Sequence, residues 1–344
     1  SQVDERGAFD PKERRVFSLG AKAVLFDGFK RENILDEKEM EFLASQKKSD
    51  FFKKSLALDV SELFFAILNT KEELKAKEQK GIQLEAQVNR LQKFYEAGSV
   101  TLDSVEKIKA SKAMNDYEIE MILMNLKSLE YKLKNIAGAE FQELQKSSVL
   151  EPQIKEFETR DDLAAMEYDV KALEYKAKQA NSDYYPSVFI EDTYSSFDYV
   201  DANPMIDMVD NQNKITIGAS MTLFDFFSKS KEKEIVELNS KKAKNSYEFY
   251  KKEAKDELKL AIESLNTAKK KISAANSRLI AANKTYELIS QKFGANLVDN
   301  VTYLDALSEK YSAESLYQQS LNNYEYEKLS YYFYASEDIK EFIK

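Results

Sequence analysis

The residue types that most often perform catalysis or bind metal ions are missing from this sequence. It contains no Cys and no His among its 344 residues. Thiolate nucleophiles, His-dependent triads and zinc sites built from Cys and His are therefore excluded. A di-metal centre in a helical bundle is excluded as well, because it needs Glu-x-x-His pairs. The sequence predicts no metal site, no cofactor and no enzymatic activity.

Carboxylates are the most abundant side chains left that could act chemically. The sequence has 60 Asp and Glu against 51 Lys and Arg, which gives a net charge of −9. The two signs alternate along the chain, as is typical of solvated helix faces, and the negative balance argues against a nucleic-acid partner. Taken alone, a residue such as Asp305 is an ordinary exposed helix carboxylate. Any function must therefore come from the elements that position it.

Long uninterrupted helices are the first such elements. Gly occurs eight times and Pro four times, and neither occurs in residues 29–80, 99–137, 219–293 or 295–344. Nothing in these stretches breaks a helical hydrogen-bond ladder. No apolar run reaches the ~18 residues of a transmembrane helix, so we expect any membrane segment to consist of strands.

An internal duplication organises the chain. Matching residues lie 198 positions apart throughout, as Gly20 and Gly218 do. The segments that match are Phe17-Ser18-Leu19-Gly20-Ala21 with Ile215-Thr216-Ile217-Gly218-Ala219, Leu25-Phe26-Asp27 with Leu223-Phe224-Asp225, and Tyr95-Glu96-Ala97 with Phe293-Gly294-Ala295. A constant offset over so long a distance indicates two copies of one unit.

Each copy contains a strand with apolar residues at every second position, from Phe17 to Leu25 and from Ile215 to Leu223. A third strand is predicted from Pro186 to Tyr199. Period two fits a half-buried strand of a soluble core and equally a lipid-facing barrel strand, and the alternation alone slightly favours the soluble core. The partner of the third strand in the first copy would lie before Ser1, so we expect a helix and a strand to be missing there.

After each strand the apolar period changes to 3.5, which predicts a left-handed coiled coil. The first seam contains Leu56, Val60, Leu63, Ile67, Thr70, Leu74, Lys77, Gly81, Leu84, Val88, Leu91 and Tyr95, and its counterpart runs from Ala254 to Phe293. Lys77 is expected to keep its ammonium in water. A helix over residues 28–95 would be ~100 Å long, about three times the apolar thickness of a bilayer.

This order of elements resembles the TolC-type family of outer-membrane efflux proteins. The turns resemble the family's helix tips, at Tyr95-Glu96-Ala97-Gly98 and from Phe293 to Ala306. The implied fold class is mainly α with a small β part: long antiparallel coiled-coil hairpins in tandem, plus outer-membrane β-barrel strands, in a trimeric tunnel. The first repeat is 1–150, with strand 14–27, helix 28–95, tip 96–100, helix 101–137 and a linker. The second is 151–344, with helix 157–180, hairpin 184–225, helix 226–293, tip 294–299 and helix 300–334.

The resemblance also implies a function and partners. A homotrimer would form a passive duct across the periplasm and outer membrane of a Gram-negative bacterium, with most of the chain in the periplasm and the strands in outer-membrane lipid. It would dock a periplasmic adaptor protein and receive cargo from an inner-membrane pump of the RND or ABC type, in efflux or type I secretion. The competing hypothesis is a soluble coiled-coil scaffold or adaptor without a channel, which leaves the strands unexplained.

A gate and docking tips are the site residues that the resemblance implies. Thr302 and Asp305 occupy the places of two inward aspartates, and three copies of Asp305 would disfavour anions in a narrow pore. The family's gate bonds are not retained, because their positions hold Ser104, Phe293 and Val298; Asp103 could substitute for Ser104. The adaptor-docking tips would be Gly98, Ser99, Val100, Asn296, Leu297 and Val298.

Overall fold

The computed structural model describes residues 13–138, 144, 147–200, 207–295 and 297–343. In chain order the elements are β1 (Glu13–Phe26), α1 (Lys30–Glu96), α2 (Leu102–Ala137), α3 (Asp161–Ser182), β2 (Ser187–Val200), β3 (Asn211–Ser220), α4 (Ser228–Gly294), α5 (Asn300–Tyr334) and a 3-10 turn (Ile339–Phe342). They form two compact units. The sheet unit ends at Gln46 and resumes over Ala164–Glu248, and the helical unit comprises Lys47–Leu163 and Phe249–Lys344.

The sheet unit is built on three antiparallel strands in the order β1-β2-β3. Ala23 lies opposite Ile190, which lies opposite Ile217, so these three side chains share one face. Lys22, Glu191 and Thr216 occupy the neighbouring row on the other face. The alternation of β1 and β3 therefore places their apolar side chains mainly on one face, whereas β2 contributes Asp192 to that face and Phe189 to the other.

Each long helix follows its strand through two residues with left-handed backbone. Gly28 and Phe29 have φ of 72° and 65°, and their counterparts Phe226 and Phe227 have φ of 55° and 65°. An aspartate before each pair then caps the helix. The Asp27 carboxylate accepts hydrogen bonds from the Lys30 and Arg31 N–H groups at 3.0 and 3.3 Å. Asp225 likewise accepts from the Lys229 N–H at 2.7 Å. Both helices therefore begin with their first amides satisfied.

In the helical unit, α1 and α2 approach closely at Gly81. A Cβ there would stand 3.2 Å from the Asn115 amide nitrogen, which donates to the Lys77 carbonyl at 3.2 Å. The Lys77 ammonium lies 2.5 Å from the Glu118 carboxylate of α2, and Glu118 has a lowered pKa through that hydrogen bond. Lys77 was expected to end in water, and instead its charge is paired across the hairpin.

The core of the helical unit gathers residues from distant segments. Phe65, Leu258 and Leu329 pack with Val149 and with residues 331–335 and Ile339. Tyr331 is fully buried, and its hydroxyl donates to the Gln153 carbonyl at 3.0 Å while accepting from the Lys155 N–H at 2.9 Å. A buried tyrosine with both hydrogen-bonding functions used is stabilising and not a ligand site.

The seam of α4 is buried at its alanines and at two leucines: Ala254, Leu258, Ala261, Leu265, Ala268, Ala275 and Ala282. The small alanines let neighbouring backbones approach closely. Fewer positions of the α1 seam are buried, among them Ile67, Thr70 and Leu84. Both seams end in an exposed ring at the tip, Tyr95 in α1 and Phe293 in α4.

The predicted fold class is confirmed: long helices form tandem hairpins beside a small antiparallel sheet. Each long helix has 67 residues, and α4 begins and ends 198 residues after α1. The compact units do not follow the division at residue 150, because each draws on both halves of the chain. That division into repeats stays a prediction. Among the described residues, no helix is both long and apolar enough to cross a bilayer.

Gly28→Ala should destabilise the protein more than Gly138→Ala. Both glycines have positive φ, which disfavours Ala by about 1 kcal/mol. Only Gly28 also lacks space, because a Cβ would stand 2.7 Å from the Ser182 carbonyl oxygen, whereas nothing lies within 4 Å of one at Gly138. Thermal unfolding followed by circular dichroism at 222 nm compares them. Equal losses would show that the crowding around Gly28 is relieved without cost.

Candidate gate at the helix tips

The turn between α1 and α2 ends the first long helix with a left-handed glycine. Gly98 has φ of 72° and donates to the Tyr95 carbonyl at 2.9 Å, while the Ser99 N–H donates to the Phe94 carbonyl at 2.8 Å. These bonds satisfy the last carbonyls of the helix in a Schellman arrangement. The turn is open, since nothing lies within 4 Å of a Cβ on Gly98. Ser99 is exposed and Val100 is half-buried.

The turn between α4 and α5 has a related geometry. The Leu297 N–H donates to the Lys292 carbonyl at 2.8 Å, and Leu297 is 73% exposed, while Val298 is half-buried. Asn296, named among the docking residues, lies outside the described residues. Asp299 then caps α5, accepting from the Thr302 N–H at 2.8 Å. Capping of this kind fixes where α5 starts.

An ion pair joins this turn to α1. An Arg90 guanidinium nitrogen lies 2.7 Å from Asp299 Oδ1, with Arg90 half-buried and Asp299 exposed. The hydrogen bond from Arg90, and then that from the Thr302 N–H, holds the pKa of Asp299 well below its usual range. Arg90 also lies 5.1 Å from the ring centre of Phe94. The ring and the carboxylate together fix the guanidinium beside the start of α5.

Asp305 lies six residues after Asp299, nearly two turns along α5, and its carboxylate is also bound to α1. Its Oδ1 accepts hydrogen bonds from the amides of Gln83 and of Gln87, the second at 2.9 Å. Desolvation beside the buried Gln83 raises the pKa of Asp305, the two amide donors oppose this, and the charge of Asp299 adds to the rise. The carboxylate therefore takes up a proton more readily than a free aspartate does.

The other residues of the predicted gate are placed as follows. Thr302 contributes its N–H to the Asp299 cap. The Ser104 hydroxyl lies 3.1 Å from that of Thr101. Asp103 pairs with Lys107, four residues along its own helix, at 2.8 Å, so the structure shows this carboxylate in no bond between helices. Phe293 stacks on Tyr303 with ring centres 4.8 Å apart.

Three residues of this site were missed at the level of sequence: Gln83, Gln87 and Arg90. They recur at steps of four and three along α1, so they form one polar stripe on a helix face. That spacing is a signal, but it does not say which residue lies opposite. The structure brings together this stripe, Asp299 and Asp305, and leaves Asp103 and Ser104 in contacts within the first turn of α2.

Asp299→Ala should loosen the start of α5, whereas Asp103→Ala should have little effect. The first change removes a helix cap of about 1 kcal/mol and an exposed ion pair of at most about 1 kcal/mol. The second removes an exposed pair within one helix, about 0.3–0.5 kcal/mol. Hydrogen exchange of the amides of residues 297–303 should quicken roughly tenfold in Asp299→Ala alone. Similar protection in both variants would show that Asp299 does not hold the start of α5 in place.

Acid should have the same effect on the unmodified protein. Because the pKa of Asp299 is lower in the folded state, its stabilising contribution is complete above the ordinary aspartate pKa near ~4. That contribution is lost as the pH falls from there towards the lowered value. The protection factor of the same amides, which is their exchange corrected for the slower intrinsic rate in acid, should therefore fall below pH ~4, before the buried core opens.

Comparison with known proteins bears on this arrangement. The sequence model of the family described as "Outer membrane efflux protein" matches residues 155–329, which is half of the chain. No curated protein matches the chain at the level of sequence. Solved structures that share the fold include the outer membrane protein VceC of Vibrio cholerae, with a TM-score of 0.73, 13% identity and coverage of 95% of this chain and 88% of that one.

Two further structures agree with it. The CmeC outer membrane channel of Campylobacter jejuni has a TM-score of 0.75 at 13% identity, over 94% of this chain and 77% of that one. The open-state MtrE outer membrane channel of Neisseria gonorrhoeae has a TM-score of 0.70 at 14% identity, over 96% and 81%. These similarities establish the fold, and the family match establishes a channel protein and not an enzyme. The chain belongs to the outer membrane efflux protein family and is a tunnel subunit of an efflux system.

Proposed function

We propose that three copies of this chain form a passive duct that leads from a periplasmic adaptor protein through the outer membrane. An inner-membrane pump of the RND or ABC type delivers cargo into this duct. The observation that supports this most directly is helix length. Each of α1 and α4 has 67 residues, which makes it ~100 Å long, far more than a bilayer needs. Rods of this length, with an alanine-rich seam on α4, suit the wall of a tunnel across the periplasm.

The sheet supports a position of the strands in outer-membrane lipid. On its apolar face Phe17 and Leu19 of β1 and Ile215 and Ile217 of β3 are all more than half exposed. The opposite face carries Lys22, Glu191 and Lys214, together with Phe189, and Asp192 of β2 is the charged residue on the apolar face. An apolar face towards lipid and a polar face towards a water-filled lumen is the arrangement that a membrane strand requires.

The gate in this proposal is the cluster of Arg90, Asp299, Asp305, Gln83 and Gln87, with Thr302 at its cap. Within one protomer it holds the start of α5 against α1 through one ion pair and two hydrogen bonds from glutamine side chains. The ion pair is exposed and the Gln87 contact is exposed, so these two cost little to break, whereas the contact to the buried Gln83 is the firmest of the three. Opening would separate α5 from α1 at the tip. Asp305 would then add three carboxylates to the pore lining, where Asp103 and Ser104 border the neighbouring tip.

The docking tips in this proposal are the two turns, at Gly98, Ser99 and Val100 and at Asn296, Leu297 and Val298. Leu297 presents the largest exposed apolar surface of the described tip residues. A contact of this size is shallow, so affinity for the adaptor would depend on several tips engaging at once.

Asp305→Asn should weaken the cation preference of the open duct. The amide keeps an acceptor for Gln83 and Gln87 but removes one negative charge per protomer. In planar bilayers the cation-to-anion permeability ratio should move towards one. Acidification should do the same to the unmodified protein, because protonation removes the same charge from Asp305.

Glu309→Gln is the matched control, since Glu309 lies one turn further along α5 and pairs with Arg278 at 2.9 Å. The preparation should run as a trimer in detergent, and it should conduct. A monomer, or a trimer that does not conduct even when the tip contacts are removed by Asp299→Ala and Asp305→Asn together, would contradict the duct. An unchanged ion selectivity in Asp305→Asn would remove Asp305 from the gate and leave the duct in place.

Leu297→Asp should weaken binding to a periplasmic adaptor of the same bacterium. The change places a charge in an apolar contact that is repeated in each protomer, so we expect affinity to fall roughly tenfold. Surface plasmon resonance with the immobilised trimer measures it. Ile280→Asp, an exposed position on α4 away from the tips, is the control. Equal affinity of the two variants would exclude Leu297 from the docking surface.

A further inference from the structure

A group of exposed aromatic and apolar side chains surrounds the points where the strands meet the helices. Phe226 is 85% exposed and Leu223 is 87% exposed, and the others are Phe29, Tyr184, Tyr185, Phe224 and Phe227. We call these seven residues the collar. Phe29, Phe226 and Phe227 have left-handed backbone, which side-chain-bearing residues rarely adopt. Exposed rings on strained backbone indicate a surface that is covered by a membrane or a partner and not by water.

The collar follows or precedes the strands at one end of the sheet, where Phe26 of β1 lies opposite Val188 and Ser187 lies opposite Ser220. Aromatic side chains are enriched where membrane strands leave the hydrocarbon for the headgroup region. The helices begin directly after the collar. If the strands lie in the outer membrane, as proposed above, the collar marks the leaflet that faces the periplasm.

A small basic pocket lies next to the collar, between the starts of α1 and α4 and the end of α3. Its volume is about 120 Å³, and Lys30, Lys176, Lys229, Asp183 and Glu232 line it. Lys30 directly follows Phe29 of the collar, and Lys229 lies two residues after Phe227. The pocket therefore lies within one or two residues of the rings that would contact lipid.

The contacts in the pocket leave positive charge unbalanced. The Lys30 ammonium lies 3.4 Å from the Asp183 carboxylate, and the Lys229 ammonium donates to the Asp183 backbone carbonyl at 3.1 Å. Lys176 forms no ion pair within the described part of the chain. Three ammonium groups therefore face two carboxylates, and one singly charged anion would balance them. A phosphodiester has that charge and offers acceptor oxygens to all three lysines.

We propose that this pocket binds the phosphodiester of an anionic glycerophospholipid in the periplasm-facing leaflet of the outer membrane. The headgroup phosphate contacts Lys176, Lys229 and Lys30, and the acyl chains lie against the collar. This inference rests on the proposed membrane position of the sheet. Bound lipid would fix the height of the sheet in the bilayer where the helices enter the periplasm.

The test is native mass spectrometry of the detergent-solubilised trimer titrated with a short-chain phosphatidylglycerol. Lys176→Gln removes an ammonium that forms no ion pair in the described structure, so the fold should be unaffected. The apparent dissociation constant should rise about fivefold. Lys229→Gln should have an effect of similar size. Lys178→Gln is the matched control, because it lies two residues along α3, next to the Tyr175 ring at 4.5 Å and outside the pocket.

Further measurements distinguish binding of a lipid from binding of free inorganic phosphate. Short-chain phosphatidylcholine, whose own ammonium competes with the lysines, should bind more weakly than phosphatidylglycerol, and inorganic phosphate should not displace either. Phe226→Ser should weaken phosphatidylglycerol binding by removing a collar ring. Phosphatidylglycerol affinity that is the same in Lys176→Gln and Lys178→Gln would overturn the proposal, as would displacement by inorganic phosphate at equal concentration. A trimer that conducts in planar bilayers but lacks Lys176-dependent binding would overturn this inference and leave the duct standing.

Discussion

The junction between strand and helix is the constraint on which the rest of the structure depends. In each copy the chain turns from extended to helical through two left-handed residues, and an aspartate caps the helix at once. The first junction places three residues between strand and helix and the second places seven, yet both end in the same aspartate cap and the same left-handed pair. One local geometry, used twice at the same offset, therefore fixes where each long helix begins. A residue inserted between the cap and the helix would rotate the first turn by about 100° and break the cap.

The two junctions satisfy this constraint with different residues. At Gly28 the Ser182 carbonyl occupies the space that a Cβ would need, so only glycine fits. At the equivalent place the second copy has Phe226, whose side chain is almost fully exposed, and it tolerates the left-handed backbone. Left-handed backbone costs such a residue about 1–2 kcal/mol. A ring kept there against that cost is consistent with a surface that contacts lipid.

The parts of the structure that the sequence could predict are those that periodicity specifies. Period two identified the strands, and the scarcity of Gly and Pro identified the long helices, because both are local properties of the chain. The alanine seam of α4 is buried from Ala254 to Ala282. The turn read from the sequence at Gly98 ends α1, where the glycine has φ of 72°, as left-handed caps favour. The contacts between different helices could not be predicted from the sequence, because no repeat in the sequence specifies which residues meet. Arg90 and Asp299, or Lys77 and Glu118, meet only because two helices pack at a particular offset. The core around Val149 and Ile339 likewise joins segments that share no repeat.

Stability is distributed unevenly along the helices, and that distribution suits a gate. Around Leu329 and Tyr331 the side chains are fully buried and their polar atoms are satisfied, so this region should open only with global unfolding. At the tips, Arg90 holds Asp299 through an exposed pair worth at most about 1 kcal/mol. In the proposed trimer three such pairs amount to no more than about 3 kcal/mol. Each hydrogen bond that Asp305 accepts from a glutamine side chain adds about 1 kcal/mol. That sum is of the same order as the free energy that a docking adaptor can supply through repeated shallow contacts. Binding at the tips can therefore open them without disturbing the core.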